Sequence, residues 1–322
     1  MNRLEEERQP TGATFDGPWP ASLHESPSAE TIASDTLDSF RRAVMAHYRD
    51  HARDLPWRKT RDPYHILVSE MMLQQTQVAR VVHKYEDFLS RFPDMASLAE
   101  SPAADVLAAW QGLGYNRRAL ALRECAKTLM AQSGGALPRT LRQLTALPGI
   151  GPATGGAILA FAHGIAVPFI ETNIRAAFLH YFFPGREDVA DTEILPLVSA
   201  TLDREDPRTW YYALMDYGSR LKKTFPNPSR RSRHHRPQSA FEGSRRQLRA
   251  HVLRLFLKGA GGFPRNEERE ASMDDAPPMG AWSRDDVVSS LPGWPTDEVE
   301  AVLAQLLREG FLRREGAHYA LA

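Results

Sequence analysis

Apolar residues recur at three- and four-residue spacing along most of the chain. Leu37, Phe40, Val44 and Tyr48 form one such stripe, which predicts an amphipathic helix from Ser34. The same period predicts helices over 64–78, 79–91, 104–112, 117–132, 140–146, 152–163, 171–182, 191–203 and 208–221, joined by short turns marked by Pro or Gly. No alternating apolar–polar run interrupts this stretch, so the main domain reads as all-α. Residues 1–33 show no period and are rich in Pro, Ser, Glu and Thr, the composition of a disordered leader. The pattern changes again near residue 245. A helix over 245–258 leads to a Gly-, Glu- and Pro-rich linker, about 259–280, and then to a helix near Ser283 and a turn at Pro292–Gly293. A further helix runs from Thr296 to Glu309, with Asp297 and Glu298 in its first turn and Gly310 as its stop. FLRREGAHYALA then suggests two short strands around Glu315–Gly316. Helix, turn, helix, hairpin is the outline of a winged helix-turn-helix, a small α+β domain, although its helices are acidic. The expected organisation is a leader (1–33), a helical core (34–223), a basic extended segment (224–245) and a linker helix with a winged-helix-like domain (246–322).

Composition narrows the classes. A length of 322 residues suits about two domains, and 42% apolar with 25% charged residues is ordinary for a globular protein with a real core. There is no run of about 18 apolar residues to span a membrane, and the first residues lack the apolar region of a secretory signal. Cys125 is the single cysteine, which excludes a disulfide framework, a Cys-type zinc site and a four-cysteine iron–sulfur cluster. Its place in a helical pattern makes it a small apolar core residue. The net charge of zero hides an asymmetry: between Tyr217 and Lys258 there are 12 basic residues and one acid, Glu242, so this segment carries 12 − 1 = +11. A solvated face would intersperse signs; a basic tract in a neutral chain points to phosphate. Pro226, Pro228 and Pro237 keep much of the tract extended. His234, His235 and His251 read as part of the solvated basic face and not as a zinc site, because adjacent His residues rarely share one ion.

The sharpest local signal is LTALPGIGPATGGAIL, residues 144–159. A helix ends at Leu147, the turn Pro148–Gly151 follows and a second helix opens at Pro152. Gly149 and Gly151 allow positive φ and close backbone approach, and the turn's amides at a helix start suit one phosphate. Ile150 would plug between the helices, and Gly155 and Gly156 argue for close packing of the second. Taken alone, the same segment could be an ordinary αα-hairpin.

Together with LPWR (55–58), DPYHILVSEMMLQQTQV (62–78), GLGYNRRA (112–119) and PFIETNIR (168–175), this hairpin resembles the helix-hairpin-helix (HhH-GPD) DNA glycosylase superfamily, and within it the adenine glycosylase, or MutY, branch. The resemblance covers about residues 37–220 and implies a mainly α, two-lobed helical core, with the winged-helix-like domain appended. It implies that Glu70 protonates an extruded base. A buried carboxylate can keep a proton at neutral pH, and on a continuous helix Gln74 would share the face of Glu70. Gln75 and Tyr115 match side chains wedged into the base stack, offsetting part of the cost of flipping. Gln74, Arg118, Gly149 and Gly151, with Arg230, Arg231 and Arg233 of the basic tract, are the other expected DNA-binding residues. Leu55, Trp57 and Arg58 match the rim of the base pocket, although Trp57 could equally be plain core.

The chain departs from that family at several places. Where the family carries an Asp that stabilises the oxocarbenium-like sugar, this sequence has Glu171-Thr172-Asn173. Glu keeps the charge and reaches one methylene further, so either the pocket compensates and Glu171, with Asn173, does this work, or turnover is impaired. Glu171 capping the next helix is compatible with both. The position at which bifunctional relatives place a Schiff-base Lys is Ala153, which implies base release without strand cleavage. The family's four cluster cysteines correspond to Lys222, Ser229, Ser232 and Gln238, so no iron–sulfur cluster and no other cofactor is expected; a monovalent cation at the hairpin carbonyls stays open. Tyr212 stands where relatives read the adenine edge with Gln or Glu, and the terminal domain does not resemble the Nudix-like domain that reads 8-oxoguanine. The expectation is a monomeric monofunctional glycosylase of base excision repair acting on double-stranded DNA, adenine favoured, away from membranes in the cytoplasm or on a bacterial nucleoid. The alternatives are the same scaffold for another base, or a catalytically impaired DNA-binding protein.

Overall fold

The computed structural model describes residue 32 and residues 34–237, 240–259 and 280–322. The expected leader apart from Ile32, most of the linker and Gln238 lie outside the described residues. In chain order the helices begin with α1 (Ser34–His51), α2 (Pro63–Leu73), α3 (Val78–Arg91), α4 (Met95–Glu100) and α5 (Ala103–Ala109). They continue with α6 (Arg117–Ser133), α7 (Leu141–Thr145), α8 (Pro152–His163), α9 (Thr172–Phe182), α10 (Asp191–Thr201) and α11 (Pro207–Thr224). The last are α12 (Arg245–Gly259), α13 (Arg284–Ser289) and α14 (Thr296–Arg308). Short 3-10 turns lie at Pro56–Arg58 and Pro228–Arg231, and three strands, β1 (Trp282–Ser283), β2 (Leu312–Glu315) and β3 (His318–Leu321), complete the described elements. No described helix is long and apolar enough to cross a membrane.

The chain divides into two compact units, one comprising the residues up to Arg53 with Pro168–His235, the other Asp54–Val167 with Arg236–Ala322. In the first, the Phe40 ring of α1 meets Phe178, Tyr181 and Phe182 of α9 and Trp210 of α11, with centroids 4.8–6.2 Å apart. Edge-to-face rings of this kind add to the area they bury. Arg41 caps the C-terminal end of α10, its Nε and Nη2 donating to the carbonyls of Thr201 and Ala200 at 2.9 and 3.0 Å. The tract 224–235 is less extended than its prolines predict. It turns through Pro228–Arg231, makes a parallel bridge between Val189 and Ser232, and buries Ser229 and Ser232.

In the second unit α2 is buried on nearly all sides, with Tyr64, Ile66, Leu67, Val68, Ser69, Met71 and Met72 inside, as expected of a helix apolar all round. It starts because Pro63 follows Asp62, whose Oδ1 accepts from the Tyr64 and His65 amides at 2.8 and 3.1 Å. It stops at Leu73 and not at 78, because Gln74 leaves helical geometry and Gln75 turns left-handed. The helix α4, invisible to the periodicity, is a six-residue element held by the Asp94–Ser97 capping box. The terminal segment also belongs to this unit. Its strands form an antiparallel sheet of order β1-β3-β2 with Leu312 opposite Leu321 and Trp282 opposite Tyr319. Leu248, Phe256, Val287, Val302, Leu306 and Phe311 fill the space between α12, α13, α14 and this sheet. This is the winged-helix order of elements, with β1 the strand too short for the sequence pattern to show.

Candidate functional site

Within the second unit, the C-terminal end of α2 organises most of the expected DNA-facing residues. Glu70 lies in its last turn, half-buried between buried Ser69 and Met71. The end of the helix is held by Arg118, at the start of α6, which is only 8% exposed. Arg118 Nη1 donates to the carbonyls of Met71 and Met72, both at 2.8 Å, and Nη2 to Thr76 Oγ1 at 2.8 Å and the Gly114 carbonyl at 2.9 Å. Its guanidinium carbon also lies 5.3 Å from the Trp110 ring and 5.7 Å from that of Tyr115. Burial lowers the Arg118 pKa to about 10, so the group stays cationic at neutral pH. Sequence reasoning grouped Arg118 with the DNA-binding residues; in the structure its donors engage the protein's own carbonyls and the Thr76 hydroxyl.

Two loops meet at that guanidinium, residues 74–77 and 112–116, and each presents one strained side chain. Gln75 has φ +54° and Tyr115 φ +48°, left-handed values that cost a non-glycine residue about 1–2 kcal/mol. Both side chains are exposed, Tyr115 by 39%. Strain held in place by a buried, fully engaged arginine is what an imposed presentation requires.

Gln74, the C-cap of α2, has left helical geometry. Its Nε2 donates to the Gly149 carbonyl at 3.1 Å and to Thr154 Oγ1 at 3.0 Å, tying the end of α2 to the α7–α8 hairpin. Gly149 is required twice over, by φ +77° and because a Cβ there would lie 2.6 Å from Met71 Cε. Gly151, the N-cap of α8, is exposed, and a Cβ there would meet no atom within 4 Å. Ile150 is buried between the helices as expected. Of the expected rim residues, Leu55 is buried and Arg58 half-buried. Trp57 is 2% exposed and packs edge-on to Tyr85 at 5.6 Å, which places it in the core.

The remaining expected residues lie in the first unit. Glu171 is the N-cap of α9: Oε1 accepts from the Asn173 and Ile174 amides, each at 2.7 Å, and Oε2 from Asn173 Nδ2 at 3.0 Å. The extra methylene lets the carboxylate fold back over the helix start. Tyr212 is buried, with the Arg208 guanidinium 5.2 Å from its ring centre. Arg230 is exposed. Arg231 points inward and donates to the Leu179 carbonyl at 2.7 Å and to that of Phe183, capping the C-terminal end of α9. Arg233 pairs with Asp188, Nη2 to Oδ2 at 2.8 Å.

Sequence reasoning gave no separate role to Asp216 or Gly218 of α11, and took Lys222 only as part of the basic tract and as the counterpart of a cluster cysteine. Asp216, its side chain 1% exposed, accepts from the Arg53 amide at 3.0 Å and Arg53 Nε at 2.5 Å. Gly218 lies against the backbone of Asn173, where a Cβ would sit 2.0 Å from the carbonyl oxygen. Lys222, one turn on, is half-buried within the field of Glu171 and Arg53; desolvation lowers its pKa, with Glu171 opposing that shift and Arg53 adding to it. A glycine inside a helix, four residues before a lysine, was the available signal.

Among the described residues no group of three or more His, Cys, Asp or Glu side chains is arranged to hold a metal ion. Cys125 is fully buried in α6, where burial pushes its thiol up to about 12.

The α7–α8 hairpin thus lies against α2 at Gly149, beside two loops that each hold a left-handed residue. Residues 68–201 match the family described as HhH-GPD superfamily base excision DNA repair protein. Among curated relatives, the adenine DNA glycosylase of Mycolicibacterium smegmatis is 40% identical over 179 residues, covering 54% of this chain and 61% of that protein. The adenine DNA glycosylase of Mycobacterium tuberculosis is 36% identical over 181 residues, covering 55% of this chain and 59% of that one. The chain thus spans about three fifths of the length of these relatives. Among solved structures, a thermostable thymine-DNA glycosylase superposes with a TM-score of 0.54 at 26% identity, covering 57% of this chain and 87% of that one.

Proposed function

We propose that this protein is a monofunctional DNA N-glycosylase acting as a monomer on duplex DNA, with adenine as the favoured base. The observation that carries the reading is the pair of exposed, left-handed side chains, Gln75 and Tyr115, fixed by Arg118 around the end of the helix that bears Glu70. Side chains in that state are suited to entering a base stack and offsetting the few kcal/mol, roughly, that eversion of one nucleotide costs. Arg118 is then a positioning residue. The exposed hairpin turn at Gly151 is the proposed contact for a backbone phosphate, assisted by exposed cations of the basic tract such as Arg230.

In the reaction Glu70 passes a proton to the departing base while the glycosidic C–N bond breaks. Glu171 offers negative charge to the cationic sugar, and water then adds at C1′, leaving an abasic site. Ala153, in place of an amine after the hairpin, leaves strand scission without a Schiff-base nucleophile at that position. The four cysteine positions of the relatives' cluster do not fit an iron–sulfur group here. Lys222, Ser229 and Ser232 supply no thiolate; Ser229 Oγ donates to the Thr172 carbonyl at 3.0 Å, and Ser232 Oγ accepts from the His234 amide at 3.1 Å.

One observation favours a second reading, a DNA-binding protein with impaired turnover: the Glu171 carboxylate is engaged by α9 on both oxygens. A panel of duplexes carrying adenine opposite 8-oxoguanine, guanine or thymine, and other mismatches, decides between them. Alkali-revealed breaks at one position support the glycosylase, while tight binding with no break in any duplex supports the second reading. A borohydride-trapped adduct would overturn the monofunctional assignment.

A further inference from the structure

The first unit brings three residues of the segment 222–231 onto α9, the helix that Glu171 caps. Ser229 Oγ holds the Thr172 carbonyl beside that cap at 3.0 Å, and Arg231 holds the carbonyls of Leu179 and Phe183 at the other end. Between them runs the closest helix crossing of the unit. The absence of a side chain at Gly218 lets α11 rest on the backbone of Asn173, two residues from Glu171. Residues four apart share a helix face, so Lys222 projects from the same face of α11, one turn beyond this contact. It is half-buried there within the field of Glu171. Arg53, the other cation acting on Lys222, is drawn to the buried Asp216 through its amide and Nε.

We propose that Lys222 is a positioning residue for Glu171: a counter-charge, delivered by the Gly218–Asn173 contact, on the flank of the carboxylate seated at the start of α9. This rests on the reading of Glu171 as the anion facing the sugar. It also gives the longer acid a physical compensation. The capping amides fix where the carboxylate sits, and a cation on its flank opposes displacement of that negative charge. The basic tract thereby divides by function, with Lys222 and Arg231 serving α9 while exposed members such as Arg230 stay available to phosphate.

Two measurements on the full chain test it. The first follows Lys222 by NMR of its side-chain Cε and Nζ against pH and is independent of turnover. A group held in the charged form by an anion loses that help when the anion is neutralised. Glu171→Gln, which keeps an acceptor for the cap, is therefore expected to move the Lys222 titration down by about half a unit or more. Arg53→Gln is expected to move it up. An unmoved Lys222 in Glu171→Gln overturns the pairing whatever the activity. The second is single-turnover base release. Lys222→Met is expected to slow release about tenfold or more with duplex Kd unchanged, and Lys222→Arg to restore most of the rate. Release from Lys222→Met at the wild-type rate, or a loss traced wholly to Kd, overturns the positioning role. A wild type that releases no base from any duplex defeats the glycosylase reading instead, while the Lys222 titration still decides whether the two charges are coupled.

Discussion

Gly218 shows how much one missing side chain sets. A Cβ there would lie 2.0 Å from the Asn173 carbonyl oxygen, so an alanine can enter only by prising α11 from α9. Gly218→Ala is therefore expected to destabilise the protein by about 3–5 kcal/mol, read as a lowered midpoint in urea. A change below about 0.5 kcal/mol would show that the crossing relaxes freely. At this scale the sequence was partly legible. Gly149 was singled out from its motif, and its positive φ and contact with Met71 explain why no other residue serves there. Asp216 and Gly218 stand in ALMDYG (213–218) and Lys222 in the basic tract, but what Gly218 meets is Asn173, 45 residues earlier in the chain, and no local pattern reports such a crossing. Arg118 was placed among the DNA-binding residues on its charge, whereas tertiary packing turned its guanidinium inward.

At the scale of elements, Arg118 is the joint between α2, α6 and two loops. Its replacement by an apolar side chain of similar length leaves the carbonyls of Met71, Met72 and Gly114 without their donor inside the protein. Arg118→Met is expected to cost about 3 kcal/mol and to speed amide exchange at 74–77 and 112–116 ahead of the rest of the unit. Uniform exchange across the unit, or wild-type stability, would contradict a joint at this place. Helix existence followed from periodicity nearly throughout, whereas helix ends did not. The run 64–78 carries no internal Pro or Gly to stop it, and the break after Leu73 depends on Arg118 and the hairpin, remote partners that a window of sequence does not contain. The short helix α4 escaped because its six residues are too few to show a period, although Asp94 and Ser97 were there as a cap. The winged-helix order was legible because α14 and the hairpin at Glu315–Gly316 each carry their own start, stop and turn signals.

Across the whole molecule, a neutral chain holds one strongly basic tract, and the structure thins the charge that tract can offer to DNA. Arg231 is spent on α9, Arg233 on Asp188 and Arg249 on Glu309, while Arg220, Lys223, Arg230, Arg236, Arg245 and Arg254 are exposed. If those six are the phosphate contacts, the log–log slope of duplex affinity against salt is expected near −5.4, from about −0.9 per contact. Replacing Lys223 and Arg230 by Gln should flatten it by about 2. A slope near −10 would mean that the internally paired arginines are released to DNA.

The central claim is that Glu70 is the acid that releases a base from DNA which this protein binds and opens. The direct measurement is single-turnover release of adenine from a duplex with 8-oxoguanine or guanine opposite, wild type against Glu70→Gln, with Kd measured on the same duplexes. The account predicts alkali-labile sites with the wild type and a loss of about a hundredfold or more in Glu70→Gln at nearly unchanged Kd. Release by Glu70→Gln at the wild-type rate would contradict it.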